Sequence, residues 1–429
     1  MHRSARPHAH REPPHARPAA PGRLTIGDGP WTPRRFWWLW TATLVNKLGG
    51  FVVPFLALYL TADRGYSAAY AGLVASLFGL GSAIAAIGGG VLTDRIGRRP
   101  TLLAAQLGTA VSVAVLGFTD GPVAIASMVF LVGLASNASR PAISAIIADV
   151  VPAEDRVRAY SLNYWAVNIG FGVSTAAAGV IAAGGYLTLF LLDALSTLLC
   201  AVVVFVKIPE TKPAVTATER SEPAVHLGTV FADRRFMAVV GINLLLALVA
   251  QQGSTTLAVD MGQAGITAAQ YGWVISLNGL LIVLLQLPLT RLMEGRSRTA
   301  LLLASALLIG WGFGLTMFAG SSVWFFAFTV AVWTIGEIMN APTMTALVAE
   351  LAPAQARGRY QGVYSLSWSL AMFIGPVGGS VLLQYGGGAA AWGTCAGLGT
   401  LAAAAFLLLG RRQAVERVPA AAEPDRAAV

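Results

Sequence analysis

Apolar residues run in long stretches along this chain, and polar ones gather in short clusters between them. Read as helices, the stretches fall at 36–60, 70–92, 101–118, 123–148, 160–183, 186–206, 236–258, 270–290, 299–318, 323–348, 360–385 and 389–409. Each is close to the ~20 residues that cross ~30 Å of hydrocarbon. A helix satisfies its own backbone hydrogen bonds in lipid, and an open strand does not. The pattern predicts an all-α polytopic membrane protein with twelve transmembrane helices.

The polar clusters carry a second pattern, which is internal repetition. Arg34-Arg35-Phe36 opens span 1, and Arg234-Arg235-Phe236 opens span 7 at an offset of 200. At the same offset Gly72, Ser76, Leu77, Gly79 and Leu80 of span 2 meet Gly272, Ser276, Leu277, Gly279 and Leu280 of span 8. Farther on, at an offset of 201, Pro141, Asp149, Pro152, Arg156 and Arg158 meet Pro342, Glu350, Pro353, Arg357 and Arg359. Three matches in register predict two pseudo-symmetric six-helix bundles, 34–207 and 234–410. The charged, proline-bearing stretch 208–233 reads as a cytoplasmic linker, and 411–429 as a cytoplasmic tail. Residues 1–33, rich in Arg, His and Pro and without an apolar core, read as a disordered cytoplasmic tail and not as a signal peptide.

Composition sharpens this reading. Of 429 residues, 56% are hydrophobic and 11% charged, against about 25% charged in soluble domains. The net charge of +9 suggests a nucleic-acid partner until its distribution is read. All but three of the 29 Lys and Arg fall before span 1, after span 12 or in the loops that follow even-numbered spans. The exceptions are Arg64, Lys47 and Arg140. Positive-inside bias then places both termini in the cytoplasm of a bacterial-type inner membrane. Cys200 and Cys395 fall inside spans, where they read as small apolar residues.

The strongest local motif follows span 2: Gly90, Leu92, Asp94, Arg95, Gly97, Arg98 and Arg99. Gly90 suits a close helix approach, Gly97 a tight turn, and Asp94 a contact with a helix N-terminus or a base. The run resembles the G-x-L-x-D-R-x-G-R-R/K signature of the major facilitator superfamily in every specified position. With the repeat, the resemblance covers about 34–410. It implies that Asp94 docks near the start of span 11 when the cytoplasmic side is shut, and that neighbouring arginines pair with an acid at the end of span 4, here Asp149. It also implies a cavity lined by spans 1, 4, 7 and 10. The second half carries a worn copy, Leu289-Thr290-Arg291 then Gly295-Arg296-Ser297-Arg298, without the Asp, so its ionic contact is expected to differ. Drug:proton antiporters of the family often carry a Gly-Pro motif in span 5. Span 5 has Gly170, Gly172 and Gly179 without the Pro, and span 11 has Gly375-Pro376-Val377-Gly378-Gly379.

Charge inside the spans points to mechanism, because at the bilayer centre it costs roughly 2.5–3.5 kcal/mol. Four charges lie inside spans: Lys47 and Arg140 near the midplane, and Asp193 and Glu337 in the outer half. By the resemblance, Lys47, Arg140 and Glu337 face the cavity, and Asp193 is a structural partner. Glu337 is the candidate proton carrier, since an acid in a cavity can hold a proton when dry and release it when wetted. Static ion pairing is the alternative for all four. Asn46, Asn137, Asn243, Gln251, Trp333 and Asn340 join Lys47 and Arg140 as candidate cavity residues, although helix–helix hydrogen bonding is the commoner use of such side chains.

The sequence has no Gly-x-x-x-x-Gly-Lys run and no nucleophile–base or metal constellation. A primary ATP pump and an enzyme are both disfavoured, and no cofactor is expected. The expected function is proton-coupled efflux of a small organic compound by alternating access, by a protein acting as a monomer. The alternative is transport of an anionic metabolite held by Lys47 and Arg140. A non-transporting membrane receptor ranks below both.

Overall fold

The computed structural model describes residues 34–152, 155–211, 227–353 and 357–416. Among them there is no strand, and eleven helices are long and apolar enough to cross a membrane. They are span 1 (Arg34–Asp63), span 2 (Ala68–Ile96), span 3 (Arg98–Leu116), span 4 (Pro122–Val150), span 5 (Arg156–Ala182) and span 6 (Tyr186–Lys207). Span 7 begins at Arg234–Ala250, span 8 is Ala268–Met293, span 9 Arg298–Gly314 and span 10 Val323–Leu351. The last helix, Arg357–Glu416, has 60 residues, ~90 Å at 1.5 Å per residue and far more than one crossing needs. Gly387, at φ 75° and ψ 178°, breaks it into spans 11 and 12. The fold is that of twelve crossings in two bundles.

Local sequence explains where the helices start. Ser67 and Thr267, again 200 apart, cap spans 2 and 8 by accepting the backbone N–H of Tyr70 and Gln270. Each follows a glycine of positive φ, Gly65 at 69° and Gly265 at 80°, so the repeat extends into the turns. Between the bundles the chain does not run as a plain linker. A short helix, Leu227–Ala232, precedes Asp233, whose carboxylate accepts the N–H groups of Arg235 and Phe236 at the start of span 7.

Spans 1, 4 and 7 are interrupted. Span 1 stops at Leu48, turns through Gly49 and Gly50, and resumes at Val52. Span 7 passes through a 3-10 turn at Gln251–Ser254 and resumes as Thr256–Gln263. Span 4 bends at Ala138, where Pro141 lacks the N–H that would bond the Asn137 carbonyl. Irregular backbone at membrane depth survives only where protein or a water-lined cavity surrounds it.

The glycines of the repeat build the seam between the bundles. A Cβ on Gly79 would stand 2.2 Å from the Met372 carbonyl of span 11, and one on Gly72 2.6 Å from that of Pro376. On the other side, a Cβ on Gly279 would stand 2.8 Å from Gly172 and one on Gly272 2.5 Å from the Thr175 carbonyl of span 5. Span 2 therefore packs on span 11 and span 8 on span 5, backbone to backbone.

The cores reveal which way the molecule is open. One continuous core joins both bundles and includes Phe55, Ile125 and Phe190 with Leu257, Tyr271 and Trp392. All of these lie toward the ends of the spans away from the basic loops. Toward the basic loops the core divides in two: Phe36, Leu102, Ile147 and Val204 in the first half, and Phe236, Leu302, Leu347 and Phe406 in the second. The bundles are fused on the far side and separate on the basic side.

Candidate functional site

The signature loop is held by a group outside the motif. Glu210, at the end of span 6, accepts the N–H groups of Arg98 and Arg99 at 3.0 and 3.2 Å and so caps span 3. Gly97 has φ 111°, and a Cβ there would lie 2.4 Å from Glu210 Oε2. The glycine thus makes room for a carboxylate as well as a turn. Arg98 Nε stands 3.1 Å from Asp149 Oδ2, which also accepts the Thr211 hydroxyl at 3.1 Å. Arg99 donates to the Phe205 carbonyl and lies 4.9 Å over the Phe205 ring. Arg95 is exposed, and the Asp94 side chain lies outside the described residues.

Two expectations for this region are corrected. Gly90 makes no close approach, because a Cβ there meets nothing within 4 Å. The contact belongs to Gly89, where a Cβ would lie 3.0 Å from Ala138 at the bend of span 4. The worn copy in the second half also retains its ion pair, since Arg298 meets Glu350, the counterparts of Arg98 and Asp149.

At mid-depth the interruption of span 1 organises the charges. Asp193 of span 6 is buried, and its Oδ2 accepts the N–H groups of Phe51 and Val52, both at 3.0 Å. The carboxylate thus caps the resumed helix, satisfying the Val52 N–H and sharing that of Phe51 with the Gly49 carbonyl, which accepts it at 2.9 Å. Gly49 fits against Ser196 of the same span, where a Cβ would lie 1.8 Å from the Ser196 Oγ. Lys47 ends the inner piece of span 1 and is half-buried, with Arg140 and Asp193 within electrostatic reach. Arg140, next to the bend of span 4, is exposed to solvent although protein surrounds it on most sides.

Glu337 stands at the other seam. It is half-buried on span 10, and its Oε2 accepts Asn278 Nδ2 at 3.0 Å. The same amide donates to Thr334 Oγ1 at 3.0 Å. Asn278 adjoins Gly279, the residue on which span 5 rests, and Tyr164 of span 5 lies within electrostatic reach of Glu337. No ion pair joins Glu337 to Lys47 or Arg140 among the described residues.

The remaining candidates mostly tie helices together. Asn46 donates to Thr197 of span 6, Asn137 to Ser82 of span 2, and Asn340 to Ser305 of span 9. Asn243 bonds Ser367 and Tyr364 of span 11. Gln251 packs its Cβ against Gly375, and neighbouring Gln252 donates to the Gly375 carbonyl, so the span 11 glycines seat the interruption of span 7. Trp333 is not a cavity wall here. It is buried and stacked on Phe313 at 5.0 Å, with Trp392 next in the stack.

Sequence reading overlooked Tyr164, Thr334, Glu210 and Asp260. Asp260 lies beyond the expected end of span 7, on the resumed helix, and its Oδ2 accepts the indole N–H of Trp392 at 3.0 Å. Only the charge of Glu210 and Asp260 could have flagged them, because their partners are remote in sequence.

Two six-helix bundles separated on the basic side, with interrupted helices and charges inside the spans, are the architecture of a secondary transporter. The family model described as Major Facilitator Superfamily matches residues 39–259 and 245–429. The chain belongs to the Major Facilitator Superfamily. Among its relatives, the uncharacterized MFS-type transporter YttB of Bacillus subtilis (strain 168) is 29% identical over 356 residues, covering 80% of this chain and 87% of that protein. Multidrug resistance protein MdtH of Salmonella arizonae is 26% identical over 344 residues, covering 79% and 83%. Similar solved structures include peptide transporter POT in complex with sulfate, at TM-score 0.76 and 16% identity over 89% of this chain and 95% of that one. A mutant of nucleoside transporter NupG follows at TM-score 0.73 and 14% identity, covering 87% and 99%. Such identities establish a shared fold and nothing about cargo.

Proposed function

We propose that this transporter exports a small organic compound by exchange for protons, that Glu337 carries the proton, and that the basic side faces the cytoplasm. The carrying observation is the place of Glu337. It is bonded to Asn278, next to the seam glycine Gly279, and faces Tyr164 of the opposite bundle. Rocking one bundle against the other changes the packing of span 5 on span 8, and with it the access of water to this carboxyl. A proton is then taken up in one state and released in the other. Separation of the bundles on the basic side supports loading from the cytoplasm. The name of MdtH, a multidrug resistance protein, supports an organic cargo.

Glu337→Gln mimics the protonated acid and tests the reading in proteoliposomes. The expected variant folds at wild-type yield, still exchanges cargo, and no longer responds to an imposed pH gradient. Gradient-driven flux at the wild-type rate would remove Glu337 from the coupling step. Low folded yield with all activity lost would make it a structural residue.

A further inference from the structure

The cleft holds two bases at built positions. A Cβ on Gly170 would stand 2.4 Å from Lys47 Cβ, so span 5 presses on the stem of Lys47. Arg140 precedes Pro141, whose ring lies 3.2 Å from the place of a Cβ on Gly89. Each base therefore sits where its helix is irregular and its backbone is fixed by a glycine contact. The inner pieces of spans 1 and 4 that carry them, Arg34–Leu48 and Ser139–Val150, touch each other, which brings the two bases within electrostatic reach.

One acid, Asp193, is within electrostatic reach of Lys47, and neither it nor Glu337 forms an ion pair with either base. Asp193 accepts two N–H groups of span 1, and Glu337 accepts Asn278. Tyr164 is the other titratable group at the seam, and it lies toward Glu337. Among the described residues no carboxylate lies within ion-pair distance of Lys47 or Arg140. Against two bases Asp193 supplies one negative charge, and the positive charge left over deep in a membrane protein is costly unless a further counter-charge joins it. Arg140 is exposed, so that counter-charge can come from solution.

We infer that the cleft binds an anionic group, a carboxylate or a phosphate, between Lys47 and Arg140 beside the interruption of span 1. The guanidinium offers a planar fork to two oxygens, and the ammonium a point charge. The inference rests on the proposed function only in treating the cleft as the path of the cargo. Its substance is local: an anion site in the first bundle, apart from the proton group in the second. The same chemistry is offered by an acidic cargo and by the headgroup of an anionic lipid entering the open side.

The test needs no transport. Ser144 is exposed on span 4 one turn from Arg140, toward the basic side, so Ser144→Cys reports the potential of the cleft. The purified full-length variant is treated with an anionic sulfonate thiosulfonate and with its cationic ammonium analogue. Each rate is divided by that for a free thiol, and background from buried Cys200 and Cys395 is read from the parent protein. The expected normalised ratio favours the anionic reagent by about tenfold, the order that one or two nearby charges give in a partly screened cleft. Lys47→Gln with Arg140→Gln should bring it near unity, and Lys47→Arg with Arg140→Lys should restore it. Benzoate, phenyl phosphate or short-chain phosphatidylglycerol should slow labelling where benzamide does not. Protection by the first two identifies an acidic cargo, and protection by the lipid alone a headgroup. A ratio near unity in the Ser144→Cys protein, a ratio that survives the double Gln substitution, or protection by none of the anions would overturn the inference. Loss of gradient coupling in Glu337→Gln, or its absence, leaves this readout unchanged, so the two readings fail separately.

Discussion

At the scale of residues, the interior polar groups divide into those that close a helix and those left facing the cleft. Asp193 belongs to the first kind. Removing its carboxylate strands the Val52 N–H and leaves the Phe51 N–H only the Gly49 carbonyl, and an unsatisfied buried donor costs about 1–3 kcal/mol. Asp193→Leu should therefore lower the thermal unfolding midpoint in detergent by several degrees, and Asp193→Asn, which keeps one acceptor oxygen, by less. Equal stability of Asp193→Leu and the parent would contradict a capping role. The sequence made the cost of Asp193, Lys47, Arg140 and Glu337 visible, since charge in an apolar run is conspicuous. It did not reveal their partners. Asp193 meets span 1 about 140 positions away, and Glu210 meets Arg98 across 112 positions. Contacts of that range depend on how helices are arranged, which no local spacing encodes.

At the scale of elements, the glycines of the repeat decide how closely the bundles approach. Gly79 faces the Met372 carbonyl, which Pro376 leaves without its usual helical N–H donor, and nothing there can yield. Gly79→Val should reduce the folded monodisperse fraction on size exclusion severalfold. Gly90→Ala, placed where nothing lies within 4 Å, should leave it unchanged. If both variants elute like the parent, the seam is not held by glycine contacts. The repeat was legible because matching residues recur at one offset, and it extends to the caps Ser67 and Thr267. The interruptions of spans 1 and 7 were less legible. Gly49-Gly50 is one signal among 47 glycines, and Gln251–Ser254 has no helix breaker besides Gly253. The assignment of close contact to Gly90 failed for a related reason. Both Gly89 and Gly90 fit the pattern, and only the bend of span 4 selects Gly89.

At the scale of the whole molecule, the far side is shut by one core and the basic side divides into two. Under the proposed function such an arrangement is one of two states, the other being reached by rocking about the seam of spans 2, 5, 8 and 11. Ser144 and Thr345, exposed at matching places on spans 4 and 10, mark the basic side. Asp120 and Ser321, exposed in the loops before spans 4 and 10, mark the far side. The most direct measurement is the distance between spin labels on each pair, in lipid nanodiscs, from acid to alkaline buffer and with Glu337→Gln. The account predicts reciprocal change: as the basic-side distance shortens, the far-side distance lengthens, and Glu337→Gln removes the pH dependence of both. Distances that stay fixed, or that lengthen and shorten together, would contradict alternating access about this seam.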